Sequence, residues 1–218
     1  MNSSQRMRPM RPEVIVVGAG GHAKVCIELL EAQGDKVAYC VGNQDSVDTC
    51  VGVPVLKSDD HLPALRAQGY ERVFIAIGSN AVRQKLAMKT TEMGFTLVNA
   101  ISPAAVVSPS ASLGRGIAVM AGAVINAEAF IGDLCIVNTG ATIDHDCVLG
   151  LGVHVAPQCA LAGNVQIGNL SFIGVGSKII PEIHIGESVM VGAGSVVISN
   201  IDSAVTVVGV PARALYKI

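Results

Sequence analysis

The chain has 218 residues, half of them hydrophobic, with a formal net charge of −2, 3% aromatics and no Trp. That length allows one or two domains with a substantial core. The near-neutral charge without a basic block, and the scarcity of stacking rings, exclude nucleic acid as the main partner. No apolar run approaches the ~18 residues of a membrane span, so membrane insertion is not expected.

Residues 1–12 carry Arg6, Arg8 and Arg11 but no apolar stretch. They read as a disordered, mildly basic tail and not as a secretory signal. Six Cys without such a signal fit reduced thiols in the cytoplasm.

Residues 13–98 follow a strand–helix alternation. Glu13–Val17 is a β-branched run entering GAGGHA, and Lys24–Gln33 reads as a helix. Lys36–Val41 is a second strand and Val53–Leu56 a third, followed by a helix near Asp59–Gln68. Arg72–Ile77 and Asn80–Met93 supply another strand and helix. Short connections imply a small, Rossmann-like parallel α/β sheet.

Gly18, Gly20 and Ala23 satisfy G-x-G-x-x-G/A after a strand and before a helix. Gly at these positions lets backbone N–H groups approach a phosphate at the positive end of a helix. A nicotinamide cofactor also wants an acidic residue at the end of the second strand, where this chain has Val41-Gly42-Asn43. Fewer than 90 residues hold only half of a dinucleotide fold. The loop therefore points to one nucleotide diphosphate.

The second part, 99–218, obeys a period of six. Every sixth residue from Ile101 to Val197 is Ile, Leu or Val, seventeen positions without exception. Those types make up 64 of the 218 residues, so chance gives this with probability on the order of 10⁻⁹. A period of six is neither helix nor simple strand; it is the hexapeptide period of a parallel β-helix. Three hexapeptides per coil and ~4.8 Å between stacked strands give a prism roughly 25–28 Å tall. A second register, from Ala105 to Ile201, holds only small or apolar residues, including Cys135, Cys147 and Cys159. These Cys read as interior packing residues on three different faces, not as a metal site. The Gly that often follows the aliphatic position, as in Leu149-Gly150 and Ile167-Gly168, is expected to supply corner backbone angles. Pro211 and Ala212–Ile218 are expected to cap the open edge.

Asp144-His145-Asp146 follows Ile143 at an outward part of the coil and is not required by the repeat. A His flanked by carboxylates suits general base work, because a carboxylate fixes the tautomer and stabilises the imidazolium. From spacing alone, a solvated corner residue is an equal alternative. No Cys except the interior Cys147 lies near this triplet, which argues against a covalent acyl-enzyme.

The hexapeptides [Ile/Leu/Val]-Gly-x-x-[small]-x resemble those of left-handed parallel β-helix acyltransferases. GAGGHAKV, FIAIGSN, VNAISPAAVVSPSA, NTGATIDHDCVLG, LAGNVQIG and the final GVPA together resemble one bacterial subfamily. Its members N-acetylate nucleotide-linked 4-amino-4,6-dideoxy sugars, with perosamine- and bacillosamine-type enzymes and sialic acid O-acetyltransferases among them. The resemblance implies a cytoplasmic homotrimer for surface glycan synthesis, lipopolysaccharide O-antigen included, using acetyl-CoA and no metal. It implies His145 as base and Asp146 as its partner, with the sugar projecting from the N-terminal domain toward His145. Gly18, Gly20, His22, Gly78, Asn80 and Asn138 would bind the nucleotide-sugar. His154, Gly163, Gly174 and Ala193 would bind acetyl-CoA, with a backbone N–H near Gly163 facing the oxyanion. Outward Val124 and Phe130 would be covered by subunit contact. The stretches around Val98–Ser112 and Val119–Asn126 resemble perosamine enzymes and favour GDP. Rivals are O-acetylation of sialic acid, a zinc β-helix enzyme of the γ-carbonic anhydrase type, and a non-catalytic nucleotide-sugar-binding β-helix protein.

Overall fold

The computed structural model describes residues 13–215, so the expectations for 1–12 and for 216–218 fall outside the described residues. Six strands form the first sheet: β1 (Val14–Val17), β2 (Val37–Val41), β3 (Thr49–Cys50), β4 (Val53–Leu56), β5 (Arg72–Ile75) and β6 (Thr96–Leu97), ordered β3-β4-β2-β1-β5-β6. β1 is entirely buried and pairs in parallel with both β2 and β5. An unbroken VIVV run suits a strand covered on both faces. Helices α1 (Gly21–Ala32), α2 (Leu62–Ala67) and α3 (Asn80–Glu92) connect the strands.

Three details depart from the sequence reading. β3 pairs antiparallel with β4 around Val51-Gly52, both at positive φ (49° and 78°). A β-branched residue there is outside the usual hairpin-turn vocabulary, which hid this edge strand. The helix expected across 59–68 is split into a 3₁₀ turn (Asp59–His61) and α2, with Pro63 in the first turn of the second piece. β5 stops at Ile75, because Ala76–Ser79 turn away to form a loop beside the glycine-rich one.

From Ala100 onward two-residue strands wind a three-sided prism. The first face runs from Ala100–Ile101 to Arg213–Ala214, the second from Val106–Val107 to Val196–Val197, and the third from Ser112–Leu113 to His184–Ile185. Parallel partners are eighteen residues apart, as in Val119↔Val137 and Ile125↔Ile143. The aliphatic series points inward and forms one continuous core.

Corner geometry differs from expectation. Positive φ recurs at every sixth residue from Gly116 to Gly194, Leu134, Asp146 and Leu170 among them, three residues after each aliphatic position. Gly directly after the aliphatic position has no such φ. It is small because the next coil is too near: a Cβ on Gly132 would lie 2.8 Å from the Leu149 carbonyl oxygen and 2.9 Å from the Gly150 carbonyl carbon.

All six described Cys are buried and free. The Cys135, Cys147 and Cys159 thiols donate to the carbonyls of Gly150, Ala162 and Gly174 at 3.0–3.2 Å. Ser171 and Ser177, in the same register, do this with hydroxyls. This register therefore takes a small donor that satisfies a corner carbonyl.

Small outward residues on the first face, Ala100 and Ala118, let α1 lie close, so Cys26 and Leu30 share one core with them and with Ile136. At the far end, Thr206–Val208 pairs antiparallel with Arg213–Ala214, and Ala212 N–H donates to the Val196 carbonyl. No described helix is long and apolar enough to cross a membrane.

Candidate functional site

The order of the first sheet reverses between β1 and β5, and ligands of open α/β sheets bind outside the carboxyl ends of strands at such a switch point. A crevice of about 640 Å³ opens there, lined by Gly18, Gly20, Val41, Asn43, Ile77 and Val82 among others. Gly18 is required twice: its φ is +123°, and a Cβ would stand 2.6 Å from the Ala76 carbonyl oxygen. Gly20 and Ser79 precede α1 and α3 without a side-chain cap, so the first N–H groups of both helices remain available for an anion. Gly78 and Asn80 flank Ser79, and Asn80 donates to the carbonyls of Leu170 and Ser171 on the prism.

Ser46, Asp45 and Asp59, which the sequence reading missed, also line the crevice. A Cβ on Gly42 would strike Ser46 Oγ at 2.3 Å; Ser46 Oγ in turn donates to Asn43 Oδ1 and accepts from Asn43 N–H. The crevice's acidic groups, Asp45 and Asp59, therefore come from later in the chain than the end of β2.

His22, in the first turn of α1, is half-buried, with its Nε2 3.5 Å from Cys26 Sγ. Desolvation, and secondarily the Arg83 charge, lower its pKa to about 4. His154 points outward from the first face but is buried against the N-terminal domain. Burial, then Arg83 and His22, lower it also to about 4, so both imidazoles are neutral near pH 7. His154 Nε2 lies 3.2 Å from Asn138 Nδ2, and its ring stands edge-on to Phe172.

His145 is in another place. It sits at the corner between the second and third faces, with Asp146 at positive φ (59°) turning its carboxylate back onto the imidazole. Nδ1 lies 2.7 Å from Asp146 Oδ2. Asp144 accepts from His145 N–H and from Asn126 Nδ2 one coil below, and both bonds lower its pKa. The Asp146 hydrogen bond raises the His145 pKa above 6.5. With Nδ1–H given to Asp146, Nε2 is left as the proton acceptor on an exposed ring. Gly163 lies directly over that ring: a Cβ there would be 2.6 Å from both Cε1 and Nε2. Cys147, two residues on, is buried, and desolvation raises its pKa.

The predicted site residues on the prism thus fall into two groups within one chain. His145, Asp146 and Gly163 occupy the second–third corner. Asn138, Gly174 and Ala193 occupy the first–second corner, beside His154 on the first face. Gly174 is small because Val191 and Ala193 of the next coil press on it, at 2.5 and 2.7 Å from a Cβ. The N-terminal domain covers the first face, and the second–third corner is the opposite edge of the prism. His145 therefore stands on the edge of the prism that faces away from the N-terminal domain of the same chain.

Residues 13–90 match the family model described as the PglD N-terminal domain. The whole fold is similar to perosamine N-acetyltransferase from Caulobacter crescentus, solved with CoA and GDP-perosamine: TM-score 0.91, 52% identity, 94% of this chain and 97% of that one. The chain belongs to the nucleotide-sugar N-acetyltransferase family. Its prism is the left-handed parallel β-helix of that family, carried behind a Rossmann-like α/β domain. The acetyltransferase domain of PglB from Neisseria gonorrhoeae is similar too, with TM-score 0.90 and 37% identity over 94% of this chain and all of that one. Among curated proteins, UDP-N-acetylbacillosamine N-acetyltransferase of Bacillus subtilis is 38% identical over 115 residues, half of this chain. Serine acetyltransferase of Synechococcus elongatus is 38% identical over 113 residues. The chain spans 51% and 42% of those two proteins' lengths.

Proposed function

We propose that this chain N-acetylates the 4-amino group of a nucleotide-linked 4-amino-4,6-dideoxy sugar, with acetyl-CoA as donor and His145 as general base. The observation that carries the proposal is the His145–Asp146 pair at 2.7 Å on an exposed coil corner, in a chain 52% identical to a perosamine N-acetyltransferase. The same likeness favours a GDP-linked, perosamine-like sugar. Surface glycan synthesis by a cytoplasmic homotrimer is part of the same reading.

In this mechanism the diphosphate lies at the paired starts of α1 and α3, with Gly18, Gly20, His22, Gly78 and Asn80 around it. His145 Nε2 takes a proton from the 4-amino nitrogen as that nitrogen adds to the thioester carbonyl. The C–S bond then breaks, and the imidazolium returns the proton to the departing thiolate. Asp146 holds the charge on the ring between those transfers. A neighbouring subunit unites the site: its second–third corner faces the first–second corner and crevice of this chain. Asn138 and His154 then approach the partner's base, and Gly174 and Ala193 border the acetyl-CoA path. Phe130 and Val148 on the third face and Val106 on the second are exposed apolar residues suited to such contacts; Val124 is already half-buried.

The test is acetyl transfer from acetyl-CoA to a panel of GDP-, UDP- and dTDP-linked 4-amino sugars and to sialic acid. Turnover with a nucleotide-linked amino sugar supports the proposal; turnover with sialic acid alone refutes it.

A further inference from the structure

Among the described residues, Arg83 is the only arginine in the set of largest fully buried side chains, with 1% of its surface exposed. It lies on α3, one turn after the uncapped Ser79. All of its side-chain N–H groups are used, and every acceptor is neutral. Nε donates to the Leu134 carbonyl at 2.8 Å. Nη1 donates to the carbonyls of Ile77 and Gly78, and Nη2 to Asn80 Oδ1 and the Gly152 carbonyl, all at 2.8–3.1 Å. Ile77 lines the crevice, Gly78 and Asn80 follow it and line a neighbouring pocket against the prism, and the other two acceptors belong to successive corners of the prism, between its third and first faces.

A buried cation surrounded only by neutral dipoles is costly, because removing it from water is not repaid by an opposite charge. Its neighbours add no negative charge. Desolvation raises the Cys26 and Cys135 thiols to about 12, and His22 and His154 are neutral. Burial lowers Arg83 only to about 10, so it remains charged near neutral pH. A residue kept under these conditions has to supply something that a packed apolar side chain would not.

We propose that Arg83 is a positioning residue for the nucleotide-sugar. It ties the Ile77–Asn80 loop to the corners at Leu134 and Gly152, and it places an uncompensated positive charge behind the crevice floor, where a diphosphate supplies the counter-charge. The planar fork explains the choice of Arg, since Lys has the charge but cannot span five acceptors in two directions. This inference rests on the nucleotide-sugar reading of the crevice.

The test is steady-state kinetics of the full chain with GDP-perosamine and acetyl-CoA, comparing wild type with R83K and R83Q. KM for the nucleotide-sugar is expected to rise about tenfold in R83K and further in R83Q, which loses the charge as well. KM for acetyl-CoA stays within twofold and kcat within threefold. Should R83Q fail to fold, R83K decides the matter. A purely structural arginine would lower the melting temperature or the active fraction and leave KM for the nucleotide-sugar unchanged; that result overturns the proposal. A wild-type protein that acetylates no nucleotide-linked amino sugar refutes the functional reading instead.

Discussion

Replacing Gly163 by Ala tests whether the His145 ring must stand where it does. The new methyl would sit 2.6 Å from His145 Cε1 and Nε2. Carbon–carbon contact is relaxed near 3.5–4.0 Å, so the ring has to retreat by about 1 Å. The ring is what has to move, because the three nearest atoms to that Cβ all belong to the imidazole, and Gly163 has no positive φ. The ring is at an exposed corner and swings away cheaply. Ala also restricts the unfolded chain, which adds up to about 1 kcal/mol of stability. Stability should therefore be unchanged or slightly higher. Catalysis should not survive as well, since a 1 Å misplacement of a reacting group costs about 10²-fold. We expect kcat/KM of G163A to fall about 10²-fold with no loss in melting temperature. Thiol release from acetyl-CoA and thermal unfolding measure the two quantities. Wild-type kcat/KM in G163A would refute the placement of Nε2 at the reaction centre.

Three other outcomes follow from the same geometry. The kcat/KM profile should fall as pH drops through a pKa above 6.5, because the raised His145 then carries a second proton and cannot act as base; D146N removes the carboxylate and should move that limb to lower pH. C147S should keep kcat/KM within about threefold, since Ser171 and Ser177 already fill the same register with hydroxyls; loss of turnover would point to a thioester on Cys147. Co-expressed H145N and G18A chains, each inactive alone, should regain activity as mixed assemblies, whereas unmixed behaviour would place base and crevice in one subunit.

Much of the architecture was legible because it repeats. The inward aliphatic series has no insertion, so strands, faces and core follow from counting residues. The glycines were misread because two needs produce the same residue. Gly140 has positive φ, whereas Gly132 and Gly174 are squeezed by the next coil, and a sequence does not distinguish these cases. His145 and Asp146 stood out because the coil has no use for a charged triplet. Asp45 and Asp59 did not, because a carboxylate on a loop is unremarkable until the fold brings it to a crevice. Arg83 was hidden for the opposite reason: on a helix pattern, an arginine looks like a solvated face, and only the approach of two prism corners buries it. The separation of His145 from the N-terminal domain was invisible because it depends on which face the first domain covers.

The base is the centre of this account, and H145N addresses it most directly. The amide keeps the side chain polar and small but cannot take the proton. Acetylated product from GDP-perosamine and acetyl-CoA, quantified by mass spectrometry, should form at least 10²-fold more slowly than with the wild type, within the usual range for a lost general base. Turnover by H145N within a few-fold of wild type would contradict the central claim.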